Sequence, residues 1–84
     1  MWFTYLMLCK GNSIYTGVTN DVENRFKAHK AGKGGHYTSS HKPVKILYSE
    51  KFNTRSEALK REAEIKSWRR EEKLVLVKSG MQAR

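Results

Sequence analysis

Three observations predict an α/β (α+β) domain: three stretches rich in aromatic and branched side chains, two runs with helical spacing, and turn or capping residues between them. The expected architecture is a small three-stranded antiparallel sheet flanked by helices.

Residues 2–9 and 13–19 read as a β-hairpin, because Lys10-Gly11-Asn12 supplies turn chemistry between two apolar runs. Its register follows from parity. Trp2, Leu6 and Leu8 are the more apolar set of the first strand, and Ile14 and Val18 of the second, so one core face requires even positions to oppose even. A two-residue loop breaks that match. A three-residue loop pairing Cys9 with Ser13 keeps it, with Asn12 in the left-handed conformation. Tyr5 then opposes Gly17, Tyr15 opposes Met7, and both tyrosines share the second face.

Thr19 or Asn20 is the expected cap of a helix running to about residue 31, with Val22 and Phe26 inward and Gly32 ending it. Arg25 and His29, four apart, project from one side of that helix, beside the Val22/Phe26 stripe. Residues 32–41 read as a basic loop. Val44, Ile46 and Tyr48 alternate with Lys45, Leu47 and Ser49 as a third strand. Thr54-Arg55-Ser56-Glu57 has the form of a capping box and opens a helix to about residue 70. Ala58, Leu59, Ala63, Ile65 and Trp68 form its apolar arc, with Glu62 near the centre. Residues 71–78 contain Leu74-Val75-Leu76-Val77, which periodicity alone does not assign to helix or strand; the reading favoured is a short helix stopped by Gly80.

Composition bounds the function. At 84 residues the chain is expected to be one domain over 1–84, with its core at about 2–78 and a loose tail at 79–84. A single cysteine, Cys9, excludes an internal disulfide and cannot hold a structural zinc alone, which points to a reducing compartment, the cytoplasm. The apolar run at 2–9 is too short to span a bilayer and lacks the features of a secretory signal. With 17 Lys and Arg against 8 Asp and Glu, the formal net charge is +9. Residues 25–45 hold six of those cations and all three histidines, but no acid. Such a stretch cannot neutralise itself locally, so it reads as a surface for a polyanion, most naturally nucleic acid.

Several residues admit two readings each. Glu62, an acid facing the core, either pairs with Lys66 at i,i+4 or ligates a cation, since one carboxylate plus water and substrate phosphate makes a normal Mg²⁺ site. Arg25 with His29 is a phosphate clamp and proton shuttle or a solvated basic pair. Tyr5 and Tyr15 are strand aromatics whose shared face is less ordinary. His36, Tyr37 and His41, among Lys33 and Lys42, fit nucleic-acid contact by stacking and charge as well as a solvated loop. No zinc-finger or helix-paired ligand spacing is present.

The order Tyr5, Tyr15-Thr16-Gly17, Arg25, His29 and Glu62 resembles the GIY-YIG nuclease domain, in particular its small stand-alone bacterial members, the YhbQ-like group. The likeness spans roughly residues 2–78 and includes Tyr15-Thr16-Gly17-Val18-Thr19-Asn20 and Ser56-Glu57-Ala58-Leu59-Lys60-Arg61-Glu62. Phe3-Thr4-Tyr5 stands where the family name has Gly-Ile-Tyr, and Thr16 replaces the second isoleucine; both departures spare the polar groups. Family members also place an asparagine late in the domain, where this chain has none after Asn53.

The resemblance implies that Glu62 holds one divalent cation, Mg²⁺ or Mn²⁺, that Arg25 stabilises charge on the phosphate, and that Tyr5 and Tyr15 position or deprotonate the attacking water. His29 matches a histidine of several members. The expected function is therefore a metal-dependent DNA endonuclease, directed by substrate structure rather than sequence. Arg25, Lys27, Lys30, Lys33, His36, Tyr37, His41 and Lys42 are the expected contacts to DNA or RNA. The alternative is a non-catalytic nucleic-acid-binding module on the same scaffold, working with a protein partner in a larger complex.

Overall fold

A computed structural model of the chain describes residues 1–32 and 42–82. Strands β1 (Trp2–Cys9), β2 (Ser13–Thr19) and β3 (Pro43–Phe52) form one antiparallel sheet in the order β2-β1-β3. Helix α1 (Val22–Lys30) follows the hairpin, and α2 (Arg55–Lys66) and α3 (Arg70–Gln82) follow β3.

The hairpin takes the register expected from parity. Cys9 pairs with Ser13, Tyr5 with Gly17 and Met7 with Tyr15. The turn between them uses positive φ at Gly11 (84°) and Asn12 (67°), and the Asn12 N–H donates to the Cys9 carbonyl at 3.1 Å.

The expectation of one core face is corrected. β1 is the middle strand and both of its faces are covered, which explains its nearly unbroken apolar sequence. On one side Tyr5, Met7 and Cys9 pack with Tyr15, Phe26 of α1 and Ile46. On the other, Leu6 packs with Ile65 of α2, Val77 of α3 and neighbours including Ile14, Leu47 and Tyr48. A buried hydrogen bond from Thr4 Oγ1 to the Ala58 carbonyl, 2.7 Å, ties β1 to α2.

β3 does not keep simple alternation. Its register against β1 shifts twice, so that Leu47 is skipped between the pairs Leu6–Tyr48 and Met7–Ile46, and Val44 between Leu8–Lys45 and Cys9–Pro43. An inserted residue reverses side-chain parity, which sends Ile46 to the α1 side and Tyr48 to the other. Val44 is left exposed.

Helix ends also differ from expectation. Asp21 caps α1, its carboxylate accepting from the Asn24 N–H, while Thr19 Oγ1 accepts from the Asp21 N–H. Gly32, at φ 79°, closes the helix by donating to the His29 carbonyl. The Thr54–Glu57 capping box of α2 is present in both directions. That helix stops at Lys66 rather than near 70, because Ser67 Oγ bonds the Glu64 carbonyl and Glu72 caps the Arg69 N–H at the start of α3. α3 then continues through Gly80, where a stop was expected. No helix among the described residues is long and apolar enough to cross a membrane.

Candidate functional site

Tyr5, Tyr15 and His29 reach one another from β1, β2 and α1. Ring centroids lie 6.2 Å apart for Tyr5–Tyr15, 6.2 Å for Tyr5–His29 and 5.1 Å for Tyr15–His29. Register explains the first pair. Tyr5 and Tyr15 are on the same face and diagonal across the hairpin, with Gly17 opposite Tyr5. A Cβ at Gly17 would stand 2.6 Å from the Tyr5 hydroxyl and 2.9 Å from Tyr15 Cε1, so glycine is what lets both rings close over β2.

His29 lies at the end of α1 and is fully buried, not on the helix shoulder. Its Nε2 and the Tyr5 hydroxyl are 2.8 Å apart. Burial, and then the nearby Arg25 charge, hold the imidazole below its ordinary 6.5. A neutral ring can accept the phenolic proton at Nε2. The Tyr5 phenol is 1% exposed, and burial first, then Tyr15, push its pKa up to about 12. Hydrogen bonding and charge from Arg25 oppose that rise, and the Glu62 carboxylate adds to it. Both ionic groups therefore act on this phenol, one from α1 and one from α2.

Arg25 is half-buried and lines an open groove of about 560 Å³ with Thr19, Asn20, Asp21, Asn24 and Ala28. Tyr15 is half-exposed. Glu62 faces inward as its helical position required, with a side chain 19% exposed, and pairs with Lys66 at 3.3 Å. Thus the i,i+4 pair exists. Leu59 and Ala63, expected inward, are exposed instead; Ala58 and Ile65 are buried, and half-buried Arg61 and Glu62 complete the face.

Arg61 belongs to a network that sequence reasoning missed. Its Nε and Nη2 donate to the two Glu50 oxygens at 2.8 and 3.1 Å, and Nη1 donates to Glu64 at 2.6 Å. Tyr48 donates to Glu50 at 2.6 Å, and the guanidinium lies 5.1 Å from the Trp68 ring centroid. This network fastens α2 to β3, and with it the helix that carries Glu62. A lone acid in a strand, Glu50, was the available signal.

The other cations differ in placement. Lys27 is exposed and pairs with Glu23 at 3.7 Å; Lys30 is exposed, its Nζ 5.5 Å from the Phe26 ring centroid. Lys42 is exposed, and its carbonyl accepts from the Lys10 N–H at 2.7 Å. Lys33, His36, Tyr37 and His41 lie outside the described residues. Among the described residues no group of three or more His, Cys, Asp or Glu side chains is placed to hold a metal. The acid at the site is one carboxylate, a donor set that suits a Mg²⁺-type ion completed by water and substrate oxygens.

Comparison with known proteins gives a consistent picture. The family model described as the GIY-YIG catalytic domain matches residues 1–74. A UPF0213 protein of Staphylococcus haemolyticus is 47% identical over 75 residues, covering 89% of this chain and 92% of the relative. One from Cupriavidus necator is 55% identical over 65 residues, 77% of this chain and 71% of the relative. The solution NMR structure of the UPF0213 protein BH0048 from Bacillus halodurans is similar with a TM-score of 0.58 at 38% identity, covering 93% of this chain and 84% of that one.

Proposed function

Because the chain belongs to the GIY-YIG catalytic-domain family, we propose that it is a divalent-metal-dependent endonuclease that hydrolyses DNA phosphodiester bonds and selects its substrate by shape. The observation that carries this reading is the convergence on one phenol. Tyr5 is hydrogen-bonded to His29 at 2.8 Å, its ring is tilted against Tyr15 with centroids 6.2 Å apart, and the charges of Arg25 and Glu62 shift its pKa in opposite directions, so four elements contribute to the surroundings of this phenol.

The two tyrosines take different roles. Tyr5, buried and bonded to His29 Nε2, stays a neutral phenol near pH 7 and positions its neighbours rather than acting as a base. Tyr15, half-exposed on the same face, is the phenol that meets the attacking water. Arg25, which lines the groove and whose charge is felt by Tyr5, faces the charge that develops on the phosphate. Glu62 would hold Mg²⁺ or Mn²⁺, which when bound supplies Lewis-acid stabilisation of the phosphoryl oxygens.

Metal-dependent nicking of a DNA panel, linear and branched, tests the proposal. Glu62→Ala is expected to abolish cutting while binding persists, and Arg25→Ala to slow it by about 10²–10³-fold. Undiminished cutting by the Glu62→Ala protein would sink the catalytic assignment. The ion pair that Lys66 makes with Glu62 favours a second reading, a nucleic-acid-binding module that does not cut. Salt-sensitive DNA binding with no nicking in Mg²⁺ or Mn²⁺ would select it.

A further inference from the structure

We propose that a second basic surface, where Lys10, Lys42, Lys45 and Arg70 meet at the turn end of the sheet, contacts the phosphate backbone of a nucleic-acid segment outside the Tyr5–Tyr15 cleft. This rests on the nucleic-acid reading above and adds a second contact site to it.

Three elements build the surface. The Lys10 N–H donates to the Lys42 carbonyl at 2.7 Å, which sets the β1 turn against the start of β3. Lys45 stands opposite Leu8 in the β1–β3 register. Arg70, at the start of α3, donates through Nη1 to the Asn12 carbonyl in the same turn. All four side chains are exposed, and none forms an ion pair with an acid among the described residues. The acids next to Arg70 are Glu71, which is exposed, and Glu72, which accepts from the Arg69 N–H. By contrast, Lys27 beside the cleft is already paired with Glu23.

Position decides what this surface can touch. The phenols occupy the α1 side of the sheet, whereas Lys45, opposite Leu8, and Arg70, on α3, belong to the side covered by α2 and α3. Lys10 and Lys42 form the rim between the two sides. Four strand steps separate Tyr5 from Cys9, about 13 Å at about 3.3 Å per residue. A DNA strand rising about 3.4 Å per nucleotide covers that distance in about four nucleotides. A straight duplex in the cleft meets the rim and leaves; only a bent or joined segment that turns round the sheet end reaches Lys45 and Arg70.

The test uses the full chain carrying Glu62→Ala, so that binding is read without cutting, with and without the added pair Lys10→Ala and Lys45→Ala. Arg70 is left intact because it holds the turn. On a four-way DNA junction, the added pair is expected to reduce the slope of log K against log salt by about 2, since each lost phosphate contact removes about 0.9. On a linear duplex, which meets Lys10 at the rim but not Lys45, the slope should change by no more than about half as much by the same counting. A thermal melt confirms folding, and Lys10→Gln with Lys45→Gln replaces the pair if the alanines unfold the chain. Unchanged slopes on the junction, or equal losses on both DNAs, overturn the second site and leave the nuclease reading standing. If the Glu62→Ala parent binds neither DNA at low salt, the nucleic-acid reading itself fails.

Discussion

Gly17 and His29 show how much of the site rests on single residues. At Gly17 even a methyl group would collide with both phenols, at 2.6 Å from the Tyr5 hydroxyl and 2.9 Å from Tyr15 Cε1. Gly17→Ala is therefore expected to destabilise the fold by about 1–3 kcal/mol, as other overpacked sites do, which urea denaturation measures. An unchanged midpoint would mean that the rings yield freely. His29 gives a pH signature. Its folded pKa lies below the unfolded 6.5, mainly through burial, so the unfolded chain binds more protons in the window below that value. The contribution is complete above pH 6.5 and is lost as pH falls through the window. Between pH 7 and 5, stability should fall more steeply for the native protein than for His29→Gln; parallel curves would contradict the buried neutral imidazole. Sequence spacing placed Arg25 and His29 on one side of a helix. It could not say that His29 would be buried against Tyr5, 24 residues away.

Elements hold these residues through their ends and seats. α2 carries Glu62, and its seat is the Arg61–Glu50 pair, reinforced by Tyr48 and by Trp68 beside the guanidinium. Both charged side chains are mostly buried, at 23% and 20% exposure, so losing one strands the other. Arg61→Ala is expected to cost about 1–3 kcal/mol, and Arg61→Lys should recover only part, since an ammonium cannot make the two-pronged bond. Equal urea midpoints for all three proteins would rule out the seat. Local signals were read well here: the capping box, the three-residue hairpin loop and the Asn12 conformation are interactions among near neighbours. The two skipped residues of β3 were not legible, because a bulge is chosen by what both faces of the sheet must pack against.

At the scale of the molecule, the net charge of +9 includes Arg25 beside the phenols and Lys45 and Arg70 on the other side of the sheet, and the salt experiments on linear and joined DNA are tests at that scale. The sequence by itself determined the hairpin register, the start of α2 with its capping box, and the concentration of cations without acids in residues 25–45. Those properties depend on composition or on residues a few positions apart. Tertiary structure alone decided that both faces of β1 are buried, that Arg61 locks onto Glu50, and that Tyr5 and His29 form one hydrogen-bonded unit with Arg25 beside it. The reason is physical: a central strand reads as uniformly apolar whichever helix covers each face, so only the packing of distant elements selects which side chains are buried together.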